Sequence, residues 1–339
     1  LWPLSRQSYP KQFVSILGDK TLFQAAAQRM SGKIFDKPLV ITNSDFRFIV
    51  TQQLQKIGID PGPILIEPQA RNTAPAVLAA ALYLFEKNPK AIMLVAPSDH
   101  IIADNIAFQT VIQKGLLEIK KGRIVTFGIT PTHAETAYGY LELDGENDDE
   151  ATPLKRFIEK PTLIRAEEMI ENGGFLWNAG IFLFNVKDII DAFKVHAAAL
   201  LSDVHQAVAT IEIDIGFCRL GTAAWAEVDD ISIDHAIMEK ASNLSVVPFN
   251  SAWSDLGGWD AVWRSSEKDE NGVNSSLNST TIDCTNTLLR SESEDLQIVG
   301  IGLKNIVVVG MKDAILVADM SKSQEVKKVV GILHAQNAY

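Results

Sequence analysis

Pro63-Ile64-Leu65-Ile66-Glu67-Pro68, followed by Asn72-Thr73-Ala74-Pro75 and an Ala/Leu-rich run to about Lys87, leads into Ala91-Ile92-Met93-Leu94-Val95-Ala96-Pro97-Ser98-Asp99-His100. This stretch decides the fold. The first apolar run predicts a buried strand stopped by proline. Asn72-Thr73 offers a helix cap, with Pro75 in the first turn, where a missing N–H is no loss. Residues 91–96 predict a second buried strand, and Asp99 falls just beyond its end.

Outward from this unit the alternation continues. Residues 38–43 predict a strand and 46–57 a helix; residues 106–120 predict a helix and 123–128 a strand. Strand and helix in turn predict an α/β domain with a mainly parallel sheet and helices on both faces. Ligands of such sheets bind beyond the carboxyl ends of the strands, where Asp99 lies. Further strands are predicted at 138–143, 154–159 and 175–184, helices at 188–210 and 233–240, and a strand at 245–249. The acidic run from Asp144 to Glu150 lacks the spacing and terminal Glu of a calcium loop, so it reads as a solvated hairpin tip.

Composition changes after Glu267. Residues 268–279 form a polar, turn-rich linker. Beyond it, 280–284, 287–290, 297–301, 306–309 and 314–318 predict short strands without helices between them, a pattern that suits a small β-solenoid. A helix over 323–334 closes it. The domains are therefore 1–267, a linker 268–279, and 280–339. A length of 339 residues agrees with two cores.

The charge balance narrows the partners. With 31 basic and 42 acidic residues, net −11, the surface repels nucleic acid in bulk, so an anionic ligand needs a local cationic pocket. No apolar run reaches the length of a membrane span. Cys218 and Cys284 form no metal-type or redox-type pair and read as free buried thiols, which fits a reducing cytoplasm.

The chemistry-bearing residues fall at strand ends and in loops. Arg6 and Lys11 sit in an opening segment stiffened by Pro3 and Pro10 and anchored by Trp2 and Phe13; fixed cations suit a polyphosphate. Asp99, after Ser98, can hold Mg²⁺ against bound phosphates, since Mg²⁺ takes one or two carboxylates plus phosphate and water oxygens. Asp255 offers a second acid, ahead of Gly257 and Gly258, with Trp253 and Trp259 as walls. Glu159 and Lys160 end a strand, where Lys160 can meet a sugar phosphate and Glu159 its hydroxyls. Tyr138, Gly139, Asn178 and Gly180 complete a pocket: Gly139 admits a ring close to the main chain, and Asn178 offers donor and acceptor. Glu67, with Arg71, Asn72 and Thr73, can read a base, because a carboxylate accepts from both N1–H and the 2-amino group of guanine; Asn72 and Thr73 equally serve as a helix cap. No nucleophile–His–acid set is visible.

In their order and context these pieces resemble the bacterial mannose-1-phosphate guanylyltransferases, or GDP-mannose pyrophosphorylases, of the sugar-nucleotide transferase superfamily. The likeness runs over residues 1–13, 67–76, 97–100, 137–140, 157–161, 177–182, 232–240 and 253–263, with tail segments 289–292 and 314–319. It implies a Rossmann-like nucleotidyltransferase domain with a mainly parallel mixed sheet, followed by a small left-handed β-helix domain, and a Mg²⁺-dependent reaction of GTP with α-D-mannose 1-phosphate that gives GDP-mannose and pyrophosphate. Arg6 and Lys11 would contact phosphates, Asp99 and Asp255 the metal, Lys160 the sugar phosphate, Glu159, Gly139 and Asn178 the mannose, and Glu67 the guanine. A homodimer is expected on the same ground. The family's loop opens with Gly-x-Gly-Thr-Arg, so the sequence, which starts at Leu1, is expected to begin inside that loop. Many relatives carry a further cupin domain with phosphomannose isomerase activity; with none before Tyr339, transferase activity alone is expected.

Three other readings compete. The same chemistry can serve glucose 1-phosphate with UTP or dTTP. A non-catalytic sugar-nucleotide sensor would be marked by loss of the acids and lysines, yet Lys11, Asp99, Lys160 and Asp255 are present. A nicotinamide dehydrogenase would show a glycine-rich strand–helix turn.

Overall fold

The computed structural model describes residues 1–145 and 150–336. Residues 146–149 of the acidic run and the last three residues of the expected second domain lie outside them. The chain divides into two compact units: one holds residues 27–97 and 102–253, the other residues 1–26, 98–101 and 254–339. The sequence cut at 267 follows chain order, whereas in space the opening 26 residues share a core with the C-terminal segment.

The first unit contains β1 (Val40–Asn43), β2 (Ile64–Glu67), β3 (Ile92–Val95), β4 (Ile124–Ile129), β5 (Tyr140–Leu143), β6 (Thr152–Ile158), β7 (Phe175–Asn185), β8 (Glu212–Asp214), β9 (Phe217–Arg219) and β10 (Leu244–Pro248). A four-stranded sheet runs β1-β2-β9-β8. Both β1 and β9 lie parallel to β2, with β8 antiparallel at the edge. The six-stranded sheet runs β3-β7-β4-β10-β6-β5.

The expected mixed sheet is met, but in this six-stranded sheet the pairings are mostly antiparallel rather than mainly parallel. β4 and β10 are parallel, but β7 inserts antiparallel between β3 and β4 and also pairs with β5, and β6 is antiparallel to β10 and β5. The sheet is mixed. β7 is buried along most of its eleven residues, so it shows none of the alternation that marks a half-exposed strand.

Local rules account for the helices. Asn72 Oδ1 accepts from Thr73 N–H at the start of helix Thr73–Lys87, whose Ala74–Leu82 stretch is almost wholly buried. Asp104 accepts from the N–H groups of Ile106 and Ala107, both at 2.9 Å, and so caps helix Asn105–Ile119. The single helix expected over 188–210 is two, Val186–His196 and Ala198–Ala209, because Ala197, at φ −150° and ψ 54°, leaves helical geometry. Residues 233–240 form a π-helical turn, Asp234–Met238.

The second unit stacks short rungs: β11 (Asn274–Ser275), β12 (Ser279–Ile282), β13 (Leu288–Ser291), β14 (Ile298–Ile301), β15 (Ile306–Gly310) and β16 (Ile315–Asp319). β11, β13 and β15 are parallel neighbours, as are β12 and β14, while β16 turns back antiparallel to β15. The solenoid reading is thereby met. The stretch expected to be a linker already contains the first rung, β11. Leu288, Val307, Val309 and Leu316 pack with Leu4, Ile16, Leu22, Leu256, Trp259 and Val262 into one core. Helix Val326–Ala335 follows a 3₁₀ turn and closes the unit.

Candidate active site

In the second unit the opening segment is folded on itself. Arg6 and Tyr9 exchange backbone hydrogen bonds at 3.1 Å, and Lys11–Phe13 forms one 3₁₀ turn anchored by the buried Phe13 ring. This turn presents Lys11. Its ammonium donates to the carbonyl oxygens of Asp255 at 2.7 Å and Leu256 at 3.3 Å, and lies 3.2 Å from Asp99 Oδ2. Lys11 therefore gathers both predicted acids, Asp99 through its carboxylate and Asp255 through its main chain.

The Asp255 loop is tightly set. Leu256 is fully buried and left-handed at φ 48°, and Gly257 N–H donates to Asp255 Oδ1 at 3.1 Å. A Cβ on Gly257 would itself lie 3.1 Å from the Asp255 carboxylate. Ser98 is half-buried ahead of Asp99, and His100 Nε2 lies 3.9 Å from Asp99 Oδ1.

Arg6 is held elsewhere in the same unit. Its Nε donates to Pro3 O at 2.6 Å, its Nη2 meets Asp313 Oδ1 at 2.9 Å, and its guanidinium sits 5.6 Å from the Trp2 ring centroid. Trp259, expected as a wall, is 1% exposed, and its indole N–H donates to Trp2 O at 2.8 Å, so it belongs to the core.

In the first unit a separate cluster forms at the end of β6. Glu159 Oε1 accepts from Lys160 Nζ at 2.5 Å, and Lys160 is left-handed at φ 44°. Gly139 lies so close that a Cβ there would come within 2.7 Å of Glu159 Oε2. The Gly139 carbonyl accepts from Asn178 N–H at 2.8 Å. Asn178 stands where the β4–β7 register shifts, with Thr126 opposite Phe182 but Gly128 opposite Asn178; such bulges re-aim side chains. Gly180, at φ 67°, makes this path possible and donates its N–H to Asn178 Oδ1 at 3.1 Å. Tyr138 joins an aromatic row, 5.3 Å from Trp177 and 5.2 Å from Trp253 between centroids. Trp253 thus walls this cluster.

Three residues were not singled out for roles from the sequence. Asp234 Oδ1 accepts from Asn178 Nδ2 at 3.2 Å, Glu239 Oε1 from Glu159 N–H at 3.3 Å, and Thr126 Oγ1 donates to Asn178 Oδ1 at 3.0 Å. Burial, and then the charge of Glu159, push the Asp234 carboxyl up to about 6. The available signal was an Asp-His pair at a helix start, which reads as an ordinary cap.

Glu67 ends β2 in register with Asn43 at the end of β1. Its Oε1 is buried without a hydrogen-bond partner among the described residues, and burial pushes the carboxyl up to about 7. Arg71 Nη2 donates to Ala226 O at 2.6 Å. Asn72 is left-handed at φ 65° and caps Thr73, whose Oγ1 accepts from Ile233 N–H at 2.9 Å. Thus Asn72 and Thr73 act here as cap and brace. They hold the loop that follows Glu67.

Residues 1–272 match the Nucleotidyl transferase family, and residues 278–333 match the MannoseP isomerase/GMP-like beta-helix domain. The chain belongs to the nucleotidyl transferase family. Within it, the chain is 38% identical to a mannose-1-phosphate guanylyltransferase of Sinorhizobium fredii, a match covering 99% of this chain and 65% of that protein. It is 38% identical to mannose-1-phosphate guanylyltransferase 2 of Escherichia coli O157:H7, over 99% of this chain and 71% of that one. A crystal structure described as mannose-1-phosphate geranyltransferase from Thermus thermophilus superimposes with a TM-score of 0.85 at 28% identity, covering 98% of this chain and 95% of that chain. The chain thus spans about two thirds of the length of the curated relatives it matches. Among the described residues no helix is long and apolar enough to cross a membrane.

Proposed function

We propose that this nucleotidyl transferase moves the guanylyl group of GTP onto α-D-mannose 1-phosphate, giving GDP-mannose and pyrophosphate. An anionic oxygen of the sugar phosphate attacks the α-phosphorus in line, the bond from that phosphorus to the β-phosphate bridge breaks, and pyrophosphate leaves. The nucleophile is already ionised, so no general base is needed. Fixed cations and alignment lower the barrier.

The observation that carries this reading is Lys11, whose ammonium joins Asp99 to the main chain of Asp255. In this reading Lys11 contacts the triphosphate, and Arg6 meets phosphate by leaving Asp313. Asp99 and Asp255 are hard oxygen donors. No group of three or more His, Cys, Asp or Glu side chains among the described residues makes a metal cage; two carboxylates fit Mg²⁺, which fills its remaining positions with phosphate and water. When bound, the metal neutralises phosphate charge. Lys160, 62% exposed, takes the sugar phosphate, while Glu159, Gly139, Tyr138, Asn178 and Gly180 line the mannose site. The partnerless oxygen of Glu67 supports its assignment to the two N–H donors of guanine, with Arg71, Asn72 and Thr73 beside it in the first unit; in the second unit Ser98 is assigned to the nucleotide.

The relatives' names support the substrates. A homodimer and a cytoplasmic setting complete the reading. The dimer is supported by Ile282 and Ile301, adjacent in register and both exposed on the rungs; light scattering in solution tests it. Pyrophosphate release across GTP, UTP and dTTP, each with mannose and glucose 1-phosphates, tests the reaction. GTP with mannose 1-phosphate should lead. UTP performing equally well would reject the base assignment.

A further inference from the structure

Asp234 opens the π-helical turn Asp234–Met238, a departure from α-geometry that often accompanies function. What it touches is informative. Every other polar group of Asn178 named above is already committed: Oδ1 accepts from Thr126 Oγ1 and Gly180 N–H, and the backbone N–H goes to Gly139 O. An amide oxygen accepts two hydrogen bonds and an amide nitrogen donates two. Asp234 takes one of the Nδ2 hydrogens at 3.2 Å. Asn178 is thereby left with one donor hydrogen to offer, rather than the donor and acceptor expected from sequence.

Charges of both signs act on Asp234. Glu159 opposes it, while Lys160 and His235 attract it. Glu239 accepts from the Glu159 N–H and pairs with His235 Nδ1 at 3.0 Å.

We infer that Asp234 is a positioning residue for the sugar-phosphate site: it fixes the Asn178 amide so that a single N–H is presented to a ligand hydroxyl. The inference rests on reading Glu159, Lys160 and Asn178 as that site.

The test is steady-state kinetics of the purified chain with GTP and mannose 1-phosphate, each varied in turn. D234A should raise the KM for mannose 1-phosphate by about tenfold or more, the scale of losing a hydrogen bond to a charged group. The KM for GTP should stay within about twofold. D234N keeps an acceptor oxygen for Asn178 and should stay within about threefold of wild type on both substrates. The double variant N178A/D234A should be no worse than N178A, since one residue acts through the other. Should D234A fail to fold, D234L carries the same expectation with the volume filled. An unmoved mannose 1-phosphate KM, both KM values rising alike, D234N as impaired as D234A, or additive losses would each overturn the positioning role. A wild type that releases no pyrophosphate from any pair in the panel would overturn the proposed function and this role with it, whereas an active wild type beside an unaffected D234A removes the role alone.

Discussion

The Lys11 ammonium lies 3.2 Å from the Asp99 carboxylate. The same nitrogen donates to the carbonyl of Asp255 at 2.7 Å, so one cation ties two segments more than 150 residues apart to the opening turn. Both side chains of the ion pair keep about a quarter of their surface exposed, and such a pair contributes about 1 kcal/mol or less to stability. Its expected importance is chemical. Replacing Asp99 or Asp255 by Asn should cut turnover by about 100-fold or more, the scale seen when one preorganised electrostatic group is removed, while the melting temperature moves by a few degrees. Pyrophosphate release read beside thermal melts separates the two effects. Near-normal turnover of both variants would reject the metal role proposed for these acids.

Gly139 presses on Glu159. A Cβ would approach Glu159 Oε2 to 2.7 Å and Phe157 Cζ to 3.2 Å. The carboxylate is the mobile partner, so Gly139→Ala should displace it from Lys160 rather than unfold the strand. Overpacking of this kind costs about 1–3 kcal/mol. The expected result is a several-fold higher KM for mannose 1-phosphate with GTP use little changed. Equal impairment with both substrates would show a general collapse of the β6 end.

Glu67 gives a pH-dependent prediction. Burial raises its folded pKa to about 7 from an ordinary 4.5. Between those values the folded chain holds more proton than the unfolded chain, so stability is lost as pH rises from about 4.5 to about 7 and is level above that. The loss is on the order of 1–3 kcal/mol, reduced from the full linkage value because the side chain is only half-buried. Glu67→Gln cannot ionise. It should melt higher than wild type at pH 8 and close to it at pH 4.5, while using GTP less well. A melting difference that stays constant across this range would mean that the carboxylate finds compensation elsewhere.

What the sequence disclosed, and what it hid, follows from the range of each interaction. Asp99 and Asp255 stood out because each follows an apolar strand and borders proline or glycine, which are local signals. The Asn178–Asp234 bond was hidden by a separation of 56 residues and by a bulge that no local pattern announces. The antiparallel entry of β7 escaped notice because burial on both faces erases the period-two signal that would distinguish it. The break at Ala197 had no warning either: alanine favours helix, yet its backbone there is non-helical, at φ −150° and ψ 54°. Arg6 looked equivalent to Lys11 in the opening loop, yet its partner, Asp313, lies 307 residues away. Short-range chemistry was readable; the choice among distant partners was not.

Arg290 shows how the rungs support the opening segment. Its guanidinium donates to the carbonyls of Ile16 at 2.6 Å and Ser15 at 2.9 Å, and it pairs with Glu292 just past the end of the strand. Ile16 is 4% exposed, so these bonds fix a segment already seated in the core. Arg290→Ala would leave the two carbonyls without this donor, at a cost of about 1–3 kcal/mol for groups removed from water. The segment leads directly from Lys11, so its loosening should also spread the Lys11 positions and raise the KM for GTP by several-fold. Arg290→Lys supplies charge but only one point of donation, and should recover part of the stability and less of the KM. Hydrogen exchange gives the decisive readout: amides of residues 11–16 should lose protection in Arg290→Ala before those of β4, which lies in the other unit. Uniform loss across both units would instead indicate global destabilisation, and unchanged protection would show that the apolar seat of Ile16 is sufficient on its own.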